Sequence, residues 1–202
     1  MKTPDFYKSL KCSSDDIAKI ICEIDSQLGH NRLMPPIDCQ KMLILAEDKR
    51  ASRHCGFDVV AIIRSLALTG LGKPHGGSTI LQQLVRTITG HYEKSLKRKI
   101  TEILLAYLVA QKVDRSLYPR VYLSVAYYGT GMEGFDKFFA KKGNDSCDEI
   151  HLASMAVARL KYPEPAKPNC SKHEKISVRE KHLRNIYLNS SNTRIYSYVE
   201  AV

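Results

Sequence analysis

The chain has 202 residues, 44% of them hydrophobic, which is enough to bury one core, with or without a small second lobe. Its 31 Lys and Arg against 21 Asp and Glu give a formal charge of +10. That favours an anionic partner but does not separate nucleic acid, lipid headgroups and phosphorylated substrates. No apolar run approaches the roughly 18 residues of a membrane span, and charges spread from Lys2 to Asp25 interrupt any signal-peptide core. An export or anchoring device is therefore not expected within this sequence.

In chain order, residues up to about 12 read as a loose arm, and Ser13-Ser14-Asp15-Asp16 supply caps for a first helix. Ile17, Ile20, Ile21, Ile24 and Leu28 form its apolar stripe, and Gly29 ends it. Pro36 suits the start of a second helix, which carries Met42, Leu43 and Leu45 into Glu47 and Asp48. Two acids directly after an apolar run stand well at the edge of a cleft. Residues 51–57 read as a loop, and Asp58 caps a short helix containing Arg64. The segment from Leu71 to Gly77 is glycine-rich and reads as a mobile flap.

Ser78 or Thr79 then caps a helix, with Gln82 at the third position of a capping box and Gly90 as its stop. Capping does not account for Gln83 and Arg86, which add polar reach and positive charge to a helix beginning. The longest helix is predicted from about Glu93 to Val113, burying Leu96, Ile100, Ile103, Leu104, Tyr107 and Leu108. On it Lys94, Arg98 and Glu102 fall at i, i+4 and i+8, along one face. An ordinary solvated face explains that spacing equally well.

Residues 117–128 are aromatic and apolar, and periodicity alone leaves strand and helix open. Phe135, Phe138 and Phe139, with Lys137, Lys141 and Lys142, suit a surface that touches lipid, against core packing for the neighbouring tyrosines. A small-residue helix follows from about Asp148 to Leu160, and a basic helix ends near Asn189. The six cysteines form no C-x-x-C pair and read as free thiols, with Cys22 in the core. Cys55 beside His54 has the composition of a nucleophile pair, but sequence neighbours point their side chains apart. The chain is predicted to be mostly α. Residues 1–35 form an arm and helix, 36–170 the main domain, and 171–202 a basic helical segment packed on it.

Taken together, these stretches resemble the peptidoglycan glycosyltransferases, family 51 of the glycosyltransferases. This is the domain found in monofunctional transglycosylases and bifunctional penicillin-binding proteins. Glu47, Asp48, His54, Gly56 and Asp58 match the first motif of that family, and Gly76, Gly77, Ser78, Thr79, Ile80, Gln82 and Gln83 the second. Arg98, Lys99, Glu102 and Ala106 match the third, and Tyr122, Leu123, Ser124, Tyr127, Tyr128 and Gly129 the fourth. The chain departs from the pattern at Ala51 (phenylalanine), Leu81 (threonine), Arg86 (lysine), Thr87 (asparagine), Ala110 (glutamate) and Ser124 (asparagine). No clear counterpart of the fifth motif's glutamate stands between Leu152 and Pro163.

The resemblance implies a lysozyme-like large helical lobe with a smaller jaw lobe. It also implies polymerisation of lipid II into β-1,4 glycan strands with inversion and release of undecaprenyl pyrophosphate. Glu47 then corresponds to the general base that an alcohol nucleophile needs, and Glu102 is the second carboxylate of the catalytic set. Asp48, His54, Ser78, Thr79, Gln82, Gln83, Arg86, Lys94, Arg98 and Lys99 are the expected substrate-binding residues. His54 is weighed more as loop support than as a catalyst. Mg2+ or a similar divalent cation is the implied cofactor, with Glu102 its candidate ligand.

The implied partners are lipid II, the growing glycan strand, a membrane surface and other cell-wall enzymes, with no nucleic acid. The implied place is the periphery of the bacterial cytoplasmic membrane, with a cytoplasmic or truncated chain left open. A non-catalytic relative that binds lipid-linked precursor and a lysozyme-like hydrolase remain as rival readings.

Overall fold

The computed structural model of the protein describes residues 3–72, 76–167 and 169–190. Lys73, Pro74 and His75, at the centre of the expected flap, lie outside the described residues, as do residues 191–202 of the C-terminal segment. Nine α-helices appear among the described residues: α1 (Thr3–Gln27), α2 (Ile37–Glu47), α3 (Val59–Gly70), α4 (Ile80–Thr89), α5 (Leu96–Ala110), α6 (Leu117–Val125), α7 (Phe135–Lys142), α8 (Glu149–Lys161) and α9 (Cys170–Asn189). Pairing between extended segments is limited there to isolated bridges. The fold is mostly α, the class expected from the sequence.

The buried helix α2 organises the rest. Cys39, Gln40, Met42, Leu43, Ile44 and Leu45 are all buried, so the helix is covered around its whole circumference. Its one awkward polar group is satisfied internally, because Gln40 Nε2 donates to the Pro35 carbonyl at 2.9 Å. Helices α6, α8 and α9 pack on it. The core also takes Ile17 and Ile21 from α1 and Ile176 and Leu183 from α9. Because α2 cannot shift without disturbing that core, the backbone at its C-terminal end is held in place.

Several boundaries differ from the sequence reading for physical reasons. Helix α1 begins at Thr3, so the expected loose arm is helical. Ser13 and Ser14 do not cap it. Their hydroxyls donate back to the carbonyls of Ser9 and Lys11, as serine does inside a helix. Residues 117–125, ambiguous by periodicity, form α6.

The expected lipid-touching surface around residues 135–139 is mostly core. Phe135 and Phe138 are fully buried, and Phe138 stacks on Tyr128 with ring centroids 4.8 Å apart. Cys22 is exposed, and Cys39 is the cysteine that is buried.

The largest correction concerns α5. Ser95 caps it by accepting from the Arg98 N–H at 3.1 Å, so Lys94 precedes the helix and shares no face with Arg98 and Glu102. The buried residues are Glu102, Leu105, Ala106 and Val109. Leu96, Ile100, Leu104 and Tyr107, expected inside, are exposed. The helix carries two apolar stripes, and the ion-pair cluster at Glu102 decides which one turns inward. Val59, Val60 and Ile63 of α3 and Leu71 just after it are exposed as well.

Candidate active site

A cleft of about 650 Å³ opens at the end of α2, lined among others by Glu47, Arg64, Ser78, Gln83, Arg86 and Arg179. Glu47 is the last residue of α2 and is partly exposed to this space. One carboxylate oxygen accepts from Gln83 Nε2 at 3.3 Å, and the other lies 3.4 Å from Arg179 Nη2 on α9. Both contacts are long for hydrogen bonds. Sequence reasoning missed Arg179. It stands 132 positions from Glu47 in a helix rich in basic residues, and nothing local distinguishes it from the others.

Asp48 points the other way. Its side chain is buried, with Oδ1 paired to His54 Nε2 at 2.9 Å and Oδ2 accepting from the Ile80 N–H at 3.2 Å. It thereby ties the 51–58 loop and the first turn of α4 to the end of α2. His54 thus joins the loop to Asp48, and Cys55 is exposed with no bond to it among the described contacts. Asp58 finishes the loop by capping α3, accepting from the Val60 N–H at 2.9 Å, and by pairing with Arg50 at 3.0 Å.

The loop depends on one glycine. Gly56 has φ +88, and a Cβ there would lie 2.5 Å from the Ala106 carbonyl oxygen. Its own carbonyl accepts from Thr79 Oγ1 at 2.6 Å. Gly56→Ala combines left-handed strain with a backbone clash and is expected to destabilise the protein by about 2–4 kcal/mol, measured by urea denaturation.

Helix α4 starts as its sequence predicts. Thr79 Oγ1 accepts from the Gln82 N–H at 3.2 Å, and Gly90 ends the helix at φ 66. The Gln82 side chain does not complete a capping box. Its Oε1 instead accepts from Lys99 Nζ at 3.0 Å, which joins α4 to α5.

Glu102 anchors a cluster of cations, of which Arg86 lines the cleft. Arg86 grips it with both arms, Nε to Oε2 at 2.9 Å and Nη2 to Oε1 at 3.1 Å. Lys99 Nζ lies 2.8 Å from Oε1 and also donates to Ser78 Oγ at 2.6 Å, and Arg98 Nη1 pairs with Oε2. Three cations around one carboxylate leave a net excess of two positive charges beside the cleft. Burial would raise the Glu102 carboxyl, but hydrogen bonds from Arg86 and Lys99 outweigh it and hold the group below its ordinary value. The bond to Glu102 conversely raises Arg86, while burial lowers Lys99.

Of the residues proposed from sequence, Glu47, Asp48, Ser78, Thr79, Gln83 and Arg86 line the cleft. Gln82, Arg98, Lys99 and Glu102 form the cluster behind it. Lys94 is exposed and outside both groups. The donor set at Glu102 does not suit a metal ion, because both oxygens are already committed to cations. No cluster of three or more His, Cys, Asp or Glu suited to a metal occurs among the described residues.

The departures from the family pattern also find places. Ala51, Leu81 and Ala110 meet around a second cavity on the far side of Asp48, and away from the cleft. Thr87 donates to the Gln83 carbonyl within its own helix, and Ser124 donates to the Val121 carbonyl in the core. Among these positions only Arg86 stands in the cleft itself.

The partly exposed Glu47 carboxylate thus shares a cleft with Arg86, one of the cations fixed on Glu102, on a mostly helical frame. The family model described as Transglycosylase matches residues 24–189, and the chain belongs to that family. It is 33% identical over 143 residues to penicillin-binding protein 1A of Escherichia coli, a match covering 67% of this chain and 17% of that protein. It is 30% identical over 169 residues to the monofunctional glycosyltransferase of Staphylococcus haemolyticus, covering 80% of this chain and 62% of that one. Penicillin-binding protein 1A of Rickettsia typhi is 29% identical over 143 residues, covering 68% of this chain and 18% of its own length. The chain thus spans less than a fifth of these penicillin-binding proteins, and less than two thirds of the monofunctional enzyme.

Proposed function

We propose that the protein is a peptidoglycan glycosyltransferase that polymerises lipid II into β-1,4 glycan strands and releases undecaprenyl pyrophosphate. The observation that carries this reading is that Glu47 and Arg86 line one cleft, with Arg86 fixed by Glu102 and its other cations behind it. The sugar 4-hydroxyl of the acceptor is a poor nucleophile at neutral pH, so Glu47 takes its proton as the new bond to the donor's anomeric carbon forms. The bond from that carbon to the pyrophosphate oxygen breaks on the opposite face, which inverts the centre from α to β. Charge developing on the departing pyrophosphate is met by Arg86, Lys99 and Arg98, fixed beforehand by Glu102 and therefore spared reorganisation during reaction.

No residue is assigned to a divalent cation. In this reading Mg2+ enters only as a counter-ion of the pyrophosphate substrate, since Glu102 is committed to its cations. Of the rival readings, a non-catalytic relative fits less well, because the substituted residues gather behind Asp48 or in the helices and leave the cleft intact apart from Arg86. We place peripheral membrane attachment at the exposed apolar residues of α3 and α5. No helix among the described residues is long and apolar enough to cross a membrane.

Incubation of the purified chain with labelled lipid II tests the reading against hydrolysis. Transfer yields a ladder of lengthening strands. A hydrolase yields none and shortens preformed strands instead, which would overturn the assignment.

A further inference from the structure

Among the described residues, Arg159 on α8 is the one lysine or arginine that is buried, and the chemistry above makes no use of it. Its Nε pairs with Glu164 Oε2 at 2.7 Å and its Nη1 with Glu180 Oε1 at 2.6 Å. Nη1 also donates to the Met155 carbonyl at 3.0 Å. A buried guanidinium is costly unless its donors are used, so breaking either pair would leave an uncompensated charge. Arg159 therefore clasps the two carboxylates together.

The Glu164 end of the clasp belongs to the body of the fold. Its N–H donates to the Tyr128 carbonyl at 3.0 Å, and its own carbonyl accepts from the Thr130 N–H at 3.1 Å. Gly129 comes so close that a Cβ there would lie 2.5 Å from the Glu164 nitrogen. The Glu180 end belongs to α9, which is held by much less. Ile176 and Leu183 are the only buried residues of that helix. They lie on one face and make a narrow seam, about which a helix can turn. At 3.6 residues per turn, Glu180 and Arg179 flank the seam on opposite sides, each about 50° round the axis. Any turn of α9 that moves Glu180 also moves Arg179. The Tyr187 hydroxyl ties the far end of α9 to Asp38 at 2.5 Å, so the clasp governs the stretch that carries Arg179.

That stretch reaches the cleft, where Arg179 Nη2 stands 3.4 Å from Glu47 Oε1. An acceptor hydroxyl that donates to Glu47 Oε1 can receive a second hydrogen bond from this guanidinium, which would orient it for attack.

We propose that Arg159 is a positioning residue: by joining Glu180 to Glu164 it sets the rotation of α9 and places Arg179 beside Glu47. The placement stands on the ion pairs and packing of α9, and its effect on turnover rests on the glycosyl-transfer reading.

Two variants of the 202-residue chain open the clasp. Arg159→Met keeps an apolar stem and removes both pairs. Glu180→Gln breaks the clasp from α9, leaves Arg159 paired with Glu164, and serves where the first variant fails to fold. Placement is read without turnover, by NMR of the arginine side chains, with the Arg179 Nε–H signal identified by its absence from Arg179→Met. Adding Glu47→Gln to the wild type is expected to move that signal, and adding it to either open-clasp variant is expected to leave it in place. Coupling that persists in a folded open-clasp variant overturns the proposal, as does a wild-type signal indifferent to Glu47→Gln. With lipid II, each open-clasp variant should lower kcat about tenfold while KM stays within about threefold. In the Arg179→Met background the same changes should cause no further loss, whereas a general folding defect would repeat its loss there and contradict the proposal. A wild type that polymerises nothing overturns the glycosyl-transfer reading alone, and the NMR comparison still decides the placement.

Discussion

Glu47→Gln is expected to lower glycan polymerisation by about three orders of magnitude while leaving precursor binding within a few-fold of the wild type. Positioned general bases are worth roughly 10²–10⁴ in rate, and this carboxylate is the proton acceptor assigned to the cleft. The fold should tolerate the change. The Glu47 side chain is partly exposed, and its contacts to Gln83 and Arg179 are both longer than 3.2 Å. The amide keeps the shape and a hydrogen-bonding oxygen but cannot accept the proton. Strand length on gels, read beside fluorescence binding of a labelled precursor, separates lost chemistry from lost binding. A variant that polymerised at the wild-type rate would remove Glu47 from the mechanism.

Glu102→Gln should produce the second large effect, and through a different route. The Glu102 side chain is 4% exposed, while its three cationic partners are 18–29% exposed. Removing the shared anion leaves Arg86, Arg98 and Lys99 repelling one another beside a neutral amide. The expected cost is about 3–5 kcal/mol of stability, together with a fall in turnover of about 10²–10³ as the anion site loses its order. Urea denaturation measures the first and initial rates on lipid II the second.

The pH dependence of stability adds a signature. The Glu102 carboxyl is depressed in the folded protein, so its stabilising effect is complete above the ordinary carboxylate value of 4.5. That stabilisation is lost as pH falls from there through the lowered folded value. Wild-type Tm should therefore drop more steeply below about pH 4.5 than that of Glu102→Gln. Parallel curves would show that Glu102 contributes no such linkage.

The parts of this site that the sequence exposed are those decided by local rules. The Thr79 cap, the Gly90 stop and the Asp58 cap each depend on a few consecutive residues, and each stands as expected. The pairing of Arg98 with Glu102 follows from i, i+4 spacing alone. The orientation of α5 did not follow, because both of its stripes are apolar and the buried ion cluster chooses between them. Arg179 was hidden for a related reason: its meeting with Glu47 depends on how α9 packs beside α2.

The meeting of Ala51, Leu81 and Ala110 is likewise tertiary. In the sequence they are three unrelated departures from a pattern. In the fold they surround one space, and that changes what they mean for activity. These substitutions lie on the far side of Asp48, and the cleft holds Glu47 and Arg86.

The most direct measurement is the stoichiometry of polymer and carrier when the purified chain is given lipid II. Glycosyl transfer predicts one undecaprenyl pyrophosphate released for each disaccharide joined, with new linkages of β configuration by NMR, and neither product from Glu47→Gln. Tight binding of lipid II by the wild type with no carrier released would contradict the account.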